Sequence, residues 1–229
     1  MNDLNPKKLL LEGVVIVLSI LAAFLLDATW EGLQERELEK KHLIAMKTDF
    51  EETLVRIETA TKATEANREL AIALMDLEVQ KTGDELDTAI VEVFAIHTLE
   101  PVTGAIQELI TSGELSSIQD RDLRQKLAAW ESSVELYRKQ EQYLFNDFYF
   151  HFSPFLVQKT DFGQLMRIHY TEIPKSIRNR DHQSLLSDSE FRNILTLRWV
   201  HSGDVLHALR GLRTSTEEIL ECLSSGIEE

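Results

Sequence analysis

The segment LLLEGVVIVLSILAAFLLD, residues 9–27, decides the fold because it is apolar almost throughout. No charged residue occurs from Gly13 to Leu26, and Glu12 is the one charged residue from Leu9 to Leu26. In a helix that rises about 1.5 Å per residue, the stretch from Leu9 to Leu26 extends roughly 27 Å. That length is close to the hydrocarbon thickness of a bilayer, so the segment predicts a membrane-spanning helix.

The residues after this segment indicate that the helix is retained rather than cleaved. A signal peptide has a shorter apolar core, followed by a cleavage site with small residues at alternate positions. Here Ala22 and Ala23 are followed by three large apolar residues, and no such site occurs. Trp30 lies just beyond the apolar run, where an interfacial aromatic is expected. The sequence therefore predicts an uncleaved anchor.

Glu12 is the unusual residue of the predicted span. It lies about one turn inside the N-terminal end, four residues after Lys8 and on the same helix face. One interpretation is an interfacial carboxylate neutralised by Lys8 or by protonation. The other is a contact with a second span in an oligomer, or with a partner helix that carries a base. Ser19 and Ala23 form a small-xxx-small pair that permits close approach of another helix.

Positive charges on the two sides of the span predict its orientation. Lys7 and Lys8 flank it directly on the N-terminal side, whereas the bases on the far side begin only at Arg36. Close-in positive charge favours the cytoplasm. We therefore expect residues 1–8 to be a cytoplasmic stub and the body of the protein to be extracytoplasmic.

Composition favours an all-α body. Only 9 Gly and 4 Pro occur in 229 residues, which argues for long helices. The formal net charge is -15, with 26 acidic and 13 basic residues over positions 27–155, while residues 156–213 are mildly basic. This balance argues against nucleic acid as a partner. Cys222 is the single cysteine and is interpreted as a small packing residue.

Apolar periodicity divides the remainder into a stalk and a bundle. Residues 28–42 are polar on nearly every face and predict a solvated stalk helix, whereas residues 43–229 predict an antiparallel helical bundle. Residues 156–186 lack periodicity and predict loops and short helices. The predicted helices run from Leu43 to about Leu77, from Asp84 to His97, from Thr103 to Thr111 with Gly113 as C-cap, from the N-cap Asp120 to the aromatic cluster, and onward from a capping box at Ser187–Glu190.

An aromatic segment, YLFNDFYFHFSPF at residues 143–155, is the first candidate partner surface. It holds five of the ten Phe in the chain. Phe148, Phe150 and Phe152 alternate, which predicts that the chain leaves the helix before Pro154. Together with Phe155 they form either a buried plug of the bundle or an exposed surface for a partner or a membrane.

The second candidate partner surface is the basic segment around Lys175, Arg178 and Arg180. Its charge either packs against the acidic helices of the same chain or docks an acidic ligand. Charged solvated faces are common in helical proteins, so this segment alone does not define a site.

The search for catalytic chemistry in the sequence is negative. The seven histidines have no HxxxH or HExxH spacing, and there is no nucleophile elbow, phosphate-binding glycine loop or dinucleotide fingerprint. His201 and Asp204 could share a helix face, and with Asp49 and Glu52 they are the remaining candidates for a hydrolase. We expect no enzyme activity, no metal site and no cofactor.

A resemblance agrees with this architecture. EGVVIVLSILAAFLLDATWE from Glu12, the charged ERELEKK, and AIQELITSGELSSIQDRDLRQKLAAW at residues 105–130 together resemble a family of uncharacterised bacterial single-span membrane proteins, a domain of unknown function. SEFRNILTLR at residues 189–198 is also similar, so the resemblance covers most of the chain. It implies a bacterial inner-membrane location and a helical body, and it implies no catalytic residue.

These features lead to an expected class of function. A retained anchor, a stalk and an aromatic cluster without a catalytic signature are typical of a single-pass interaction or scaffold protein. We expect a homo-oligomer or an accessory subunit of a membrane complex. The alternative is an extracytoplasmic ligand-sensing domain that acts through a partner, and an anchored hydrolase is a third candidate.

A C-terminal fusion tests the orientation. Alkaline phosphatase needs an oxidising compartment to form its disulfides, so a fusion after Glu229 is expected to be active if the body is extracytoplasmic. β-Galactosidase fused at the same position is the control and is expected to be inactive. The opposite pair of activities would overturn the orientation.

Overall fold

A computed structural model describes residues 6–76, 81–175 and 182–228, with side chains from residue 15 onward except at residue 116. No strand occurs within these ranges, which confirms the all-α prediction. The seven α-helices are α1 (Pro6–Met75), α2 (Gly83–Glu92), α3 (Gly104–Ser112), α4 (Arg121–Asn146), α5 (Ser153–Lys159), α6 (Phe162–Met166) and α7 (Ser189–Glu228). Two 3-10 helices, Glu114–Ser117 and His182–Ser187, and a π-helix, Asp147–Phe152, connect them.

Helix α1 is unbroken from the apolar segment to the core of the bundle. Its 70 residues correspond to a rod of about 105 Å. The predicted boundaries between span, stalk and bundle, at residues 27 and 42, both fall inside this one helix. Pro6 stands at its first position, where a missing amide costs no hydrogen bond. The apolar segment and the body are therefore parts of one continuous element.

The three long helices bury residues at alternating steps of three and four, the spacing of coiled coils. In each helix this pattern places one apolar stripe against its neighbours. The buried positions that follow this spacing are 43, 46, 50, 53, 57, 60, 64, 67, 71 and 74 in α1; 123, 127, 130, 134, 137 and 144 in α4; and 191, 195, 198, 202, 205, 209, 212, 216, 219 and 223 in α7. Helix α7 also buries Ile194, Leu206 and Ala208 beside this stripe.

Helix α7 lies antiparallel to both α1 and α4. Near the far end of α1, the Met75 carbonyl accepts a hydrogen bond from Arg192 Nη1 at 2.7 Å. At the other end, the Leu43 side chain lies against Gly226. The α4 side is fixed by Trp130, whose Nε1 donates to Thr216 Oγ1 at 2.9 Å. The start of α4 and the end of α7 therefore lie at the end of the bundle nearest the apolar segment, here called the proximal end.

Two hydrophobic clusters fill the bundle. The proximal cluster includes an edge-to-face pair between Phe50 and Trp130 at 4.9 Å between ring centroids. The distal cluster joins α2, α5, α6 and the start of α7, and Phe94 stacks on Phe152 within it. Between the two clusters, the buried stripe of α7 carries the polar residues Arg198 and Ser202.

Local capping follows the sequence at two predicted positions and departs from it at a third. Asp120 caps α4 by accepting from the amides of Asp122 and Leu123, and Gly113 ends α3 with φ of 76°. The capping box predicted at Ser187 is wrong. Asp188 is the N-cap of α7 instead, because its Oδ1 accepts from the amides of Glu190 and Phe191 at 2.8 and 3.4 Å.

Helix α2 is shorter than the sequence predicts, since it ends at Glu92 rather than near His97. The carbonyls that would continue the helix have other partners. Arg198 of α7 donates to the carbonyl oxygens of Val93 and Ala95, and Asn67 of α1 also donates to that of Ala95. Side chains from two distant helices thus satisfy the end of α2, and no local sequence signal encodes this.

Truncation of the α7 stripe tests the packing. Leu209 is fully buried, and Leu209→Ala is expected to lower the free energy of unfolding by about 2–5 kcal/mol, because the cavity adds to the lost transfer energy. Denaturant unfolding of the full-length protein in detergent measures the loss. Arg210→Ala, at the exposed neighbouring position, is the control and is expected to change stability by no more than about 0.5 kcal/mol.

Candidate functional site

The apolar part of α1 has no packing partner among the described residues. It is long and apolar enough to cross a membrane, and none of its 18-residue apolar window is buried. Ser19 satisfies its hydroxyl within the helix by donating to the Val15 carbonyl at 2.8 Å. Ser19, Ala23 and Trp30 are all exposed, whereas the side chains of Lys8 and Glu12 lie outside the described part.

The aromatic segment is helical, so the prediction that the chain leaves the helix before Pro154 is wrong. Residues Asp147–Phe152 form a π-helix that continues directly into α5, and Pro154 lies in the first turn of α5. The wider turn of a π-helix displaces the helix face, which explains the misleading alternation of Phe. Asp147, at the junction of α4 and the π-helix, faces the bundle, where 3% of the residue is exposed.

Asp147 belongs to a buried polar layer that crosses the bundle. Its Oδ2 lies 2.7 Å from Nδ1 of His201 on α7. One turn earlier on α7, Arg198 is 1% exposed and donates from Nε to the Val93 carbonyl at 2.9 Å. The layer therefore joins α7, the π-helix and the end of α2.

Arg198 is a buried cation that this layer partly compensates. Burial lowers the pKa of Arg198 to about 10, and the nearby Asp147 carboxylate opposes that shift. The guanidinium is thus charged at neutral pH, and its charge is offset by one carboxylate and two carbonyl oxygens. It also lies over the Phe94 ring, 5.6 Å from the centroid.

Two buried groups of the layer have no hydrogen-bond partner among the described residues. They are Nη1 of Arg198 and the hydroxyl of Ser202, one turn further along α7. Both belong to the buried stripe of that helix. Buried polar groups are normally hydrogen-bonded, so these two donors are exceptions within the layer.

A second His–Asp pair lies in the distal cluster. His182 Nδ1 is 2.5 Å from Asp87 Oδ1, and both residues are buried. Gln164 donates to the other oxygen of Asp87 at 3.3 Å. This pair ties the 3-10 helix before α7 to α2 and α6, so its evident role is to fasten the distal end.

The aromatic residues proposed as a partner surface are divided between core and solvent. Phe152 and Phe155 are buried, Phe148 is half-buried, and Phe150 is 71% exposed. Tyr149 beside it is also exposed and stacks on Phe145. The interpretation as a plug fits Phe152 and Phe155, while Phe150 remains available at the surface.

In the basic segment, Lys175 is exposed, whereas Arg178 and Arg180 lie outside the described residues.

The residues considered for a hydrolase do not come together. Asp49 accepts from the Ala105 amide at 2.7 Å at the start of α3, and Glu52 pairs with Arg56 along α1. His201 contacts Asp147 rather than Asp204, whose side chain is exposed. Within the described ranges, no group of three or more His, Cys, Asp or Glu residues could hold a metal ion.

Sequence reasoning missed the residues that build the polar layer. Asn67 and Arg198 occupy buried-stripe positions where the periodicity predicts apolar side chains, and this mismatch is the signal that could have revealed them. Asp147 lies three residues after the buried Leu144, and its burial became evident only from its contact with His201. Cys222 was interpreted from the sequence as a small packing residue. It is half-buried, and its sulfur lies 3.2 Å from Nζ of Lys126. Hydrogen bonds from Lys126 to Asp122 and Cys222 raise the pKa of this lysine.

A cleft of about 850 Å³ lies at the proximal end of the bundle, between the stalk part of α1, the start of α4 and the end of α7. Its lining is mixed in charge and includes Arg36, Lys40 and Glu221. The buried side chains of Leu43 and Leu123 also line it. It is therefore a polar cleft with an apolar end rather than a hydrophobic groove.

Comparisons of the chain with protein-family models, with curated proteins and with solved structures find no match. The family resemblance noted in the sequence therefore stays a prediction, and the fold and the sites stand on their own geometry.

Removal of Asp147 tests the polar layer. Asp147→Ala removes the hydrogen-bond partner of His201 and the carboxylate near the buried charge of Arg198, and we expect a loss of about 1–3 kcal/mol in the free energy of unfolding. Denaturant unfolding in detergent measures it. Asp204→Ala removes an exposed carboxylate from α7, the helix that carries Arg198, and is the control.

A double variant checks that the two residues are coupled. Asp147→Ala with Arg198→Met removes both charges and keeps a long side chain in the core, so part of the lost stability is expected to return. Full additivity of the two single losses would contradict the proposed coupling.

Proposed function

We propose that this chain is a single-pass membrane protein whose helical bundle is held outside the bilayer as an interaction module. In this proposal it works as a homo-oligomer or as an accessory subunit of a larger membrane complex. The observation that carries the proposal is the continuity of α1. One helix contains both the exposed apolar segment and a full stripe of the bundle core.

This continuity favours a role in assembly over that of a loosely tethered catalyst. A flexible linker would leave the body free to rotate above the membrane, whereas an unbroken helix passes position and rotation from the segment to the body. A contact between two spans would therefore also orient the two bodies. The exposed small pair Ser19 and Ala23 offers a face for such a contact.

The proposed orientation has a cytoplasmic N-terminus and an extracytoplasmic body at a bacterial inner membrane. It is supported by the charges close to the apolar segment, Lys7 and Lys8, and by the sequence resemblance. The predicted extents, 1–8 for the stub, 9–27 for the span, 28–42 for the stalk and 43–229 for the bundle, remain part of the proposal.

One observation favours a second candidate function, an extracytoplasmic sensing domain. The polar layer contacts α1 through Asn67, so a rearrangement of the layer would reach the helix that enters the membrane. In this candidate the signal passes through a partner. This candidate requires a ligand that binds the body, whereas the assembly candidate requires none.

Native mass spectrometry of the full-length protein, gently extracted from its own membrane, distinguishes the two candidates. The assembly proposal expects a defined oligomer or a complex with another protein. A monomer that carries a small molecule would overturn assembly in favour of sensing.

Two substitutions test whether the contact between the subunits of an oligomer lies in the span. Ala23→Leu is expected to dissociate a homo-oligomer because a larger side chain blocks close approach, and Glu12→Leu is expected to do so if its carboxylate contacts another span. Ala22→Leu, the same change on a neighbouring face, is the matched control. An oligomer that survives Ala23→Leu and Glu12→Leu would place the contact outside the span.

A further inference from the structure

The proximal cleft described above lies close to the expected membrane surface. Its Arg36 follows Trp30 by six residues, which corresponds to about 9 Å along the helix axis. Side chains of an α-helix lean toward its N-terminus, which here is the direction of the apolar segment. Long basic side chains commonly extend in this way toward a lipid headgroup layer. Arg36 and Lys40 are therefore placed to reach phosphate groups at the bilayer surface.

The charges of the cleft are divided between those engaged by the protein and those left free. Glu37 pairs with Lys41 at 3.0 Å, Glu39 accepts from the Gln119 amide at 2.6 Å, and Asp120 caps α4. These three acids are committed to the structure of the stalk and of the α4 start.

The remaining charged lining residues are Arg36, Lys40 and Glu221. Among the described residues, none of their charged groups has a hydrogen bond or an ion pair. Arg36 and Lys40 are four residues apart on one face of α1, and Glu221 faces the same cleft from α7. The cleft thus presents two free cations and one free carboxylate, a complement for one phosphate and one ammonium group.

We propose that this cleft binds the headgroup of a zwitterionic phospholipid that carries a primary amine. Arg36 and Lys40 bind the phosphate, and Glu221 accepts hydrogen bonds from the ammonium group. This inference rests on the proposed membrane anchoring. An anionic headgroup without an amine fits less well, because it leaves Glu221 unpaired and meets the further acids Glu31 and Glu35 on the stalk.

A bound headgroup would fix the body at a defined height and rotation above the bilayer. The cleft joins the stalk to the ends of α4 and α7, so a lipid in it contacts all three elements at once. The unbroken α1 sets the rotation of the body relative to the span, and the headgroup adds a second contact beside it.

The experiment is native mass spectrometry of the full-length protein in detergent micelles, titrated with single phospholipids. Phosphatidylethanolamine is expected to bind as one retained molecule, more tightly than phosphatidylcholine or phosphatidylglycerol. The double substitution Arg36→Gln/Lys40→Gln is expected to weaken its binding about tenfold or more, as loss of charge-assisted hydrogen bonds predicts. Glu221→Gln is expected to remove the preference for the primary amine over choline.

Lys62→Gln is the matched control, because Lys62 is an exposed lysine of α1 outside the cleft lining. Its lipid binding is expected to equal that of the unsubstituted protein. Because all three cleft residues are surface groups, thermal unfolding of each variant is expected to match the parent and to show that folding is retained.

Three outcomes would overturn the proposal. The first is equal retention of all three lipids, and the second is unchanged lipid binding in the double variant. The third is displacement of the lipid by inorganic phosphate at the same concentration, which would make the cleft a site for free phosphate. Alkaline carbonate extraction of membranes distinguishes a wrong lipid-binding proposal from a wrong anchoring proposal. Release of the chain by carbonate would reject the anchoring itself, whereas a retained chain without lipid preference would reject the cleft proposal alone.

Discussion

The coiled-coil seam between α1 and α7 is the contact on which the rest of the molecule depends. Each helix contributes ten positions at steps of three and four, from Leu43 to Leu74 and from Phe191 to Leu223. Each fully buried large apolar side chain contributes about 1.5–3 kcal/mol before the entropy of ordering is counted. The seam packs the C-terminal half of α1 into the bundle, and the same helix extends toward its N-terminus through residues 28–42 and the apolar segment. The direction in which that segment leaves the bundle is therefore set by packing that occurs far from it.

Polar residues interrupt this seam at one level and give it a fixed register. Arg198 reaches the carbonyl oxygens at the end of α2, and Asn67 of α1 meets the same Ala95 carbonyl. A slip of one heptad would leave the guanidinium buried without these partners, at a cost of several kcal/mol. We therefore interpret the layer as a device for structural specificity, comparable to a polar core residue that sets the register of a coiled coil. Asp147 and His201 extend it to the π-helix, so the distal helices are aligned by the same contact.

The two ends of the bundle differ in what they offer to partners. The distal end is closed by aromatic packing and by the His182–Asp87 pair, with Phe150 and Tyr149 exposed at its surface. The proximal end has a mixed-charge cleft beside the stalk, where the start of α4 and the end of α7 meet α1. The apolar segment of α1 extends from this proximal end. If that segment lies in a membrane, the proximal cleft is the part of the bundle nearest to it.

The sequence by itself determined the helical class, the apolar segment, the end of α3 and the start of α4, because each depends on residues close together in the chain. Asp120 and Gly113 act on amides and carbonyls within a few positions, and the apolar periodicity of α4 and α7 is a local pattern. Tertiary structure alone decided the end of α2, the N-cap of α7, the helical path through Phe148 to Phe152 and the polar layer. Those features depend on partners far away in the chain: Arg198 lies about a hundred residues beyond the carbonyl oxygens it binds, and Asp147 and His201 are 54 residues apart. A pattern in one segment cannot specify which distant side chain will satisfy its backbone, and only the assembled bundle brings the two together.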